Sequence, residues 1–170
     1  MLGDIERVLQ ALNSAGIRYL VVGGVAVVLH GHLRTTANLD LVVQLEHDNV
    51  LKTMRALASL GYRPRAPVAA EAFADEDVRE SWVRDKGLTV FSLWSSRAPT
   101  LEVDLFVREP FGFAEVYARA LKVPLENTFA WVVSLPDLIE LKSQARRPQD
   151  LQDIEALEAL DADDAGESEA

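Results

Sequence analysis

Cysteine is absent from all 170 residues, so neither disulfides nor thiolate metal sites contribute to this fold. Long apolar runs are absent too: no stretch of 18 or more apolar residues occurs, which excludes a membrane-spanning helix. The first residues, Met-Leu-Gly-Asp-Ile-Glu-Arg, lack the basic region and apolar stretch of a signal peptide. A cytoplasmic location is the expectation. Basic residues are scarce, with 17 Lys and Arg against 27 Asp and Glu, for a net charge of −10. Such a surface repels a polyanion on average, and nucleic-acid binding rests on basic side chains neutralising phosphates. A nucleic-acid partner is therefore disfavoured, although Arg63, Arg65, Arg79, Arg84 and Arg146-Arg147 leave room for a local basic patch. Five of the acids fall in residues 161–170, which read as a frayed, disordered tail. The body, residues 1–160, then carries about −5.

What is present is ordinary for one globular domain: 49% hydrophobic and 26% charged residues in a chain long enough to bury a core. Ile5, Val8, Leu9 and Leu12 form one helical stripe over residues 3–14, and Ile17 to Val22 is a β-branched strand. Gly23-Gly24 ends that strand, and Val25 to Leu29 reads as a short apolar helix. From Asn38 to Leu45 the pattern alternates: Leu39, Leu41, Val43 and Leu45 on one face, Asn38, Asp40, Val42 and Gln44 on the other. A helix over 48–60, a loop at Tyr62 to Pro67 and a weakly amphipathic helix over 69–84 follow. Leu88 to Trp94 and Leu101 to Val107 read as a hairpin, with Glu102, Asp104 and Phe106 sharing a face. The remainder is read as a helix near 112–121, a strand near 128–133, a helix capped by Ser134 and running to Ala145, and a last helix from Pro148 to about Leu160. Trp82, Trp94 and Trp131 are expected in the core, and the three histidines lack metal-ligand spacing around acids.

The chemistry concentrates at three positions. Asn38 and Asp40, at i and i+2 of one strand, send their oxygens from the same face, and Asp104 leaves a second strand from a polar face. If those strands are neighbours, the oxygens converge on one point. Hard divalent cations such as Mg²⁺ need clustered oxygens and keep other positions for phosphates and water. A pair of such ions activates an attacking oxygen and stabilises a leaving pyrophosphate, which is the chemistry of nucleotidyl transfer. Gly23-Gly24 at a strand-to-helix junction lets backbone approach a triphosphate closely, although a tight turn alone also accounts for a glycine pair.

The pattern Gly-Gly-x-Ala…His-Gly…Arg34-x-Thr36-x-Asn38-x-Asp40, followed by a separate acid in a later strand, resembles the nucleotidyltransferase superfamily. It is similar to small bacterial abortive-infection and toxin–antitoxin nucleotidyltransferases, and to minimal aminoglycoside and lincosamide nucleotidyltransferases. The stretch from Leu135 through Lys142 to Arg147-Pro-Gln-Asp150-Leu-Gln-Asp153 resembles the family's paired C-terminal helices. The resemblance implies an α/β domain with a mixed β-sheet flanked by helices. It also implies Mg²⁺, as a two-ion site, and a bound nucleoside triphosphate. By similarity, Asp40 bridges the metals, Asp104 binds the catalytic metal and helps deprotonate the acceptor, and Lys142 contacts the phosphates. Gly23, Gly24, Arg34 and Thr36 fall on the nucleotide-binding pattern. Asn38 departs from it, standing where the family has its first aspartate; an amide oxygen still ligates a cation but brings no charge. Glu102, which shares a face with Asp104, is a candidate to compensate. For Lys142 a solvent-facing helix position fits equally well, and Asp150 and Asp153 are expected to cap and to pair with Arg146 or Arg147. The implied activity is transfer of NMP to a hydroxyl of a small molecule or a protein. The alternative is a degenerate regulator of this fold, antitoxin-like, that works by binding a protein partner.

Overall fold

The computed structural model describes residues 1–168. A mixed sheet of seven strands organises the chain: β1 (Tyr19–Val22), β2 (Asn38–Val43), β3 (Arg63–Pro64), β4 (Val90–Trp94), β5 (Glu102–Phe106), β6 (Leu121–Pro124) and β7 (Phe129–Val132), in the spatial order β3-β4-β5-β2-β1-β7-β6. The helices are α1 (Leu2–Ser14), α2 (Gly23–Leu29), α3 (His47–Ser59), α4 (Glu76–Lys86), α5 (Phe113–Ala118), α6 (Leu135–Ala145) and α7 (Pro148–Ser168). The fold is α/β, one domain, with helices flanking the sheet. β1 runs antiparallel to β2 and parallel to β7, while β2 and β5 are parallel. β4 is antiparallel to both β5 and the short edge strand β3.

Alternation along the strands explains which side is closed. On β4, Phe91 and Leu93 are buried whereas Val90, Ser92 and Trp94 are half-buried. Phe91 stacks between Phe73 and Trp82, with ring centroids 5.0 and 5.2 Å away. Leu39, Leu41, Val103 and Leu105 continue that buried face. The opposite face, with Asn38, Asp40, Glu102, Asp104 and Ser92, is where the polar chemistry gathers.

The structure departs from the sequence reading in several places. The weakly amphipathic stretch 69–84 divides at Asp75 into a 3₁₀ turn (Ala70–Ala74) and α4, because Asp75 is extended and its side chain accepts from Val78 N at 3.2 Å as the cap of α4. The helix read over 112–121 ends at Ala118, and Leu121–Pro124 instead forms β6, paired antiparallel with β7. Part of the Tyr62 to Pro67 loop pairs with β4 as β3. Only Trp82 is buried as a core residue; Trp94 and Trp131 are half-buried, each with a cationic side chain over its ring. α7 continues past Leu160 to Ser168, with 161–168 helical and exposed, and the last two residues of the expected tail lie outside the described residues. Among the described residues no helix is long and apolar enough to cross a membrane.

Candidate active site

β1 delivers the chain to the sheet's end at Val22, opposite Asp40 of β2. Gly23 then turns it into α2 with φ at 65°, a left-handed conformation that side chains resist. Space imposes the same choice: a Cβ on Gly23 would lie 2.2 Å from Asp40 Oδ2. At Gly24 a Cβ would fall 2.9 Å from Thr36 Oγ1 and 3.2 Å from Arg34 Cζ. The glycine pair therefore lets both β2 and the Arg34–Thr36 loop close onto the start of α2. Thr36 Oγ1 donates to Asn38 O at 3.1 Å, which ties that loop to the first residue of β2.

The parallel pairing of β2 with β5 sets Asp40 directly beside Asp104, and Asn38 beside Glu102. Asp104 is buried, 6% exposed, and both of its oxygens are engaged. Asn38 Nδ2 donates to Oδ2 at 2.8 Å and Ser92 Oγ donates to Oδ1 at 2.5 Å. Asp40 has no such donors among the described residues. Burial, reinforced by the facing Asp104 carboxylate, raises its pKa to about 6 despite the opposing charges of Arg147, Lys142 and Arg34. Glu102 does not turn toward this pair; it takes a two-bond grip from Arg65, at 3.0 and 3.3 Å. Among the described residues no three His, Cys, Asp or Glu side chains cluster as a metal site.

Cations line the other wall. Lys142 of α6 is 4% exposed, far from the solvent-facing position that an amphipathic helix allows. Its Nζ lies 2.8 Å from Asp153 Oδ2 and 3.3 Å from Asp150 Oδ1, both on α7. Asp153 also accepts from Arg34 Nη1 at 2.5 Å, so it joins two cations that lie 108 positions apart. Asp150 accepts from Arg147 through side chain and backbone, at 2.8 and 3.0 Å. Burial raises the Asp150 pKa, but the Arg147 hydrogen bonds and the Lys142 charge outweigh it and hold the carboxyl below its ordinary value. The pairing read from sequence thus holds for Asp150 with Arg147; Asp153 turns to Lys142 and Arg34 instead.

All eight residues singled out in the sequence, Gly23, Gly24, Arg34, Thr36, Asn38, Asp40, Asp104 and Lys142, line one cavity of about 760 Å³. Arg147, Asp150 and the half-buried Val90 and Phe106 are also among its walls. One participant escapes sequence reading: Ser92 sits in an apolar strand with nothing to mark it. Asp153 is singled out in the sequence, but with Arg146 or Arg147 as its expected partner rather than Lys142 and Arg34. His30 serves structure, its Nε2 lying 2.8 Å from Val133 O.

The fold is shared with solved nucleotidyltransferases. The lincosamide antibiotic adenylyltransferase LnuA, solved with lincomycin bound, superposes with a TM-score of 0.63 at 13% identity, over 94% of this chain and 98% of that one. ANT(2")-Ia, solved in complex with adenylyl-2"-tobramycin, gives 0.56 at 14% identity, over 96% of each chain. These likenesses establish the fold. No curated protein matches the chain by sequence. Residues 2–165 match the family described as "Nucleotidyltransferase of unknown function (DUF6036)", and the chain belongs to that family.

Proposed function

We propose that this protein, acting in the cytoplasm, transfers NMP from a nucleoside triphosphate to a hydroxyl of a small-molecule or protein acceptor, with Mg²⁺ as its cofactor. The observation that carries the reading is the register of Asp40 beside Asp104, facing a cavity whose far wall is cationic. The donor set is oxygen only and fits a hard divalent cation. Asp40, charged at neutral pH yet without donors of its own, is the group such a cation would neutralise. Asp40, Asp104 and the amide oxygen of Asn38 would hold it, once the Asn38 side chain turns its oxygen inward. When bound, the cation would supply positive charge to the triphosphate and to the departing pyrophosphate.

The residues of the chain have separate tasks. Gly23 and Gly24 leave room for phosphate oxygens beside the backbone, and Arg34, Lys142 and Arg147 supply the charge that binds them. Asp104 accepts the proton of the acceptor hydroxyl, whose oxygen bonds to the α-phosphorus. The bond from that phosphorus to the bridging oxygen breaks, and pyrophosphate leaves with the electron pair. Ser92 holds the Asp104 carboxylate at a fixed angle for that transfer. A metal-dependent binding titration tests the reading: the four nucleoside triphosphates by calorimetry, with and without Mg²⁺, against Asp40→Ala. Binding that needs both Mg²⁺ and Asp40 supports it; no binding of any triphosphate overturns it.

A second reading has its own observation. Asn38 spends its amide on Asp104, and Lys142 is already matched by Asp150 and Asp153. A site so satisfied internally suits a degenerate, antitoxin-like regulator that works through a protein partner. Asn38→Asp discriminates the two: a gain in Mg²⁺-dependent transfer favours the enzyme, and triphosphate binding without any gain favours the regulator.

A further inference from the structure

The strand order places the site between two different neighbourhoods. On the β1 side of Asp40 lie Gly23, Gly24, Arg34 and Lys142, the surroundings suited to a triphosphate. On the other side of Asp104 the same face continues across β4 to the edge strand β3. Register fixes which side chains share it. Asp104 pairs with Ser92, Ser92 O accepts from Arg65 N at 2.9 Å, and Trp94, two residues beyond Ser92, pairs with Arg63. Among the described residues no element covers this half of the face: Ser92, Trp94 and Glu102 are half-buried and Arg63 and Arg65 exposed, while Phe91, Leu93 and Val103 behind them are sealed.

The two arginines are fixed rather than loose. The Arg63 and Arg65 guanidinium carbons sit 4.6 and 5.5 Å from the Trp94 ring centroid. Glu102 offsets the charge of Arg65, whereas Arg63 has no acidic partner among the described residues. Strand spacing puts the β3 backbone roughly 10 Å from that of β5, and the Arg65 side chain spans this gap to reach Glu102, two residues before Asp104. In-line displacement requires the acceptor oxygen to arrive opposite the departing pyrophosphate. With the triphosphate on the β1 side, the open face across β4 is the approach left to the acceptor, continuing from the cavity wall at Val90 and Phe106.

We infer that Arg63, Arg65 and Trp94 form an acceptor site, selecting a small hydroxyl compound that carries a phosphate or carboxylate and rejecting polycationic acceptors. The inference rests on the transfer reading above for the position of the hydroxyl, and on the edge-strand residues alone for the charge. Arg63 supplies an unpaired fork that matches a tetrahedral or planar anion, and it lies over the Trp94 ring while Glu102 is taken by Arg65. A nucleic-acid strand is the less suitable occupant. Strand binding needs several phosphate contacts, and here one free guanidinium stands on a chain of net charge −10.

Calorimetry with ribose 5-phosphate as the anionic probe tests this, with and without a saturating non-hydrolysable triphosphate analogue and Mg²⁺. Binding is expected in both conditions, weakened at least about tenfold by Arg63→Glu and by Trp94→Ala, and weakened less by Arg63→Lys, which keeps the charge but not the fork. The analogue's own affinity should be unchanged in all three variants. Loss of analogue binding in the wild type would sink the transfer reading without touching the edge-strand site. The acceptor inference itself fails if ribose 5-phosphate does not bind, or binds Arg63→Glu as well as wild type. It also fails if a polycationic aminoglycoside or a single-stranded RNA binds the wild type more tightly than the sugar phosphate.

Discussion

Asp40 should be destabilising in the metal-free protein, and Asp40→Asn should show it. The folded chain holds the Asp40 proton up to about pH 6, whereas an unfolded chain releases it near the ordinary aspartate value of 3.8. Between those values the folded state binds more protons, so stability falls as pH rises and the whole loss is in place above pH 6. A shift of about two units corresponds to about 3 kcal/mol at pH 8. At pH 4 most of that difference has vanished, leaving about 0.6 kcal/mol. An amide cannot ionise, so in EDTA at pH 8 the Asp40→Asn protein should gain up to about 3 kcal/mol. For a domain of this size that is a rise of about 6–12 °C in melting temperature.

Thermal unfolding followed by circular dichroism reads this directly, in EDTA at pH 4 and pH 8, then at pH 8 with Mg²⁺. The variant's advantage should appear at pH 8, shrink at pH 4, and narrow or reverse with Mg²⁺, because only the carboxylate gains from the cation. A variant less stable than wild type at pH 8 in EDTA would refute the reasoning, as would an advantage independent of pH.

Other substitutions probe the remaining walls. Gly23→Ala forces a side chain onto Asp40 Oδ2 and into a left-handed conformation; it should lower stability by at least about 1–3 kcal/mol in urea titrations and abolish Mg²⁺-dependent triphosphate binding. Lys142→Met leaves Asp150 and Asp153 buried with fewer counter-charges and should cost about 3–5 kcal/mol, part of it recovered when Asp153→Asn is added. Ser92→Ala removes the 2.5 Å donor to Asp104 and should destabilise by about 1.5–3 kcal/mol, with analogue binding retained. Asn38→Asp should lower stability in EDTA and raise the affinity for Mg²⁺, read by titrating Mn²⁺ and following the free-ion paramagnetic signal.

Much of this site was legible in the chain itself because its signals are local. Alternation over Asn38–Val43 set Asn38 and Asp40 on one face, and the same parity set Asp104 on its strand. The glycine pair reads as room for a triphosphate; the close neighbours it has are the Asp40 and Thr36 side chains. What stayed hidden depends on pairing between distant segments. No spacing rule says that β2 lies parallel to β5, or that β7 inserts beside β1. β6 was unreadable for a related reason: Leu121–Pro124 has little burial of its own and is a strand only because β7 offers it an edge. Asp153 is marked by its pattern, but its partners are not, since Lys142 and Arg34 come from other segments that reach it only once α7 docks.

The ion pair of Arg34 with Asp153 closes a span of 119 residues, and Asn38 reaches Asp104 across 66. Contacts so remote in the chain form late, after most of the conformational entropy of the intervening segments has been surrendered. No partly folded fragment can hold the assembled cavity, because its walls come from both halves of the chain. Regain of triphosphate binding during refolding should therefore trail the return of helical signal and coincide with the final, slowest phase.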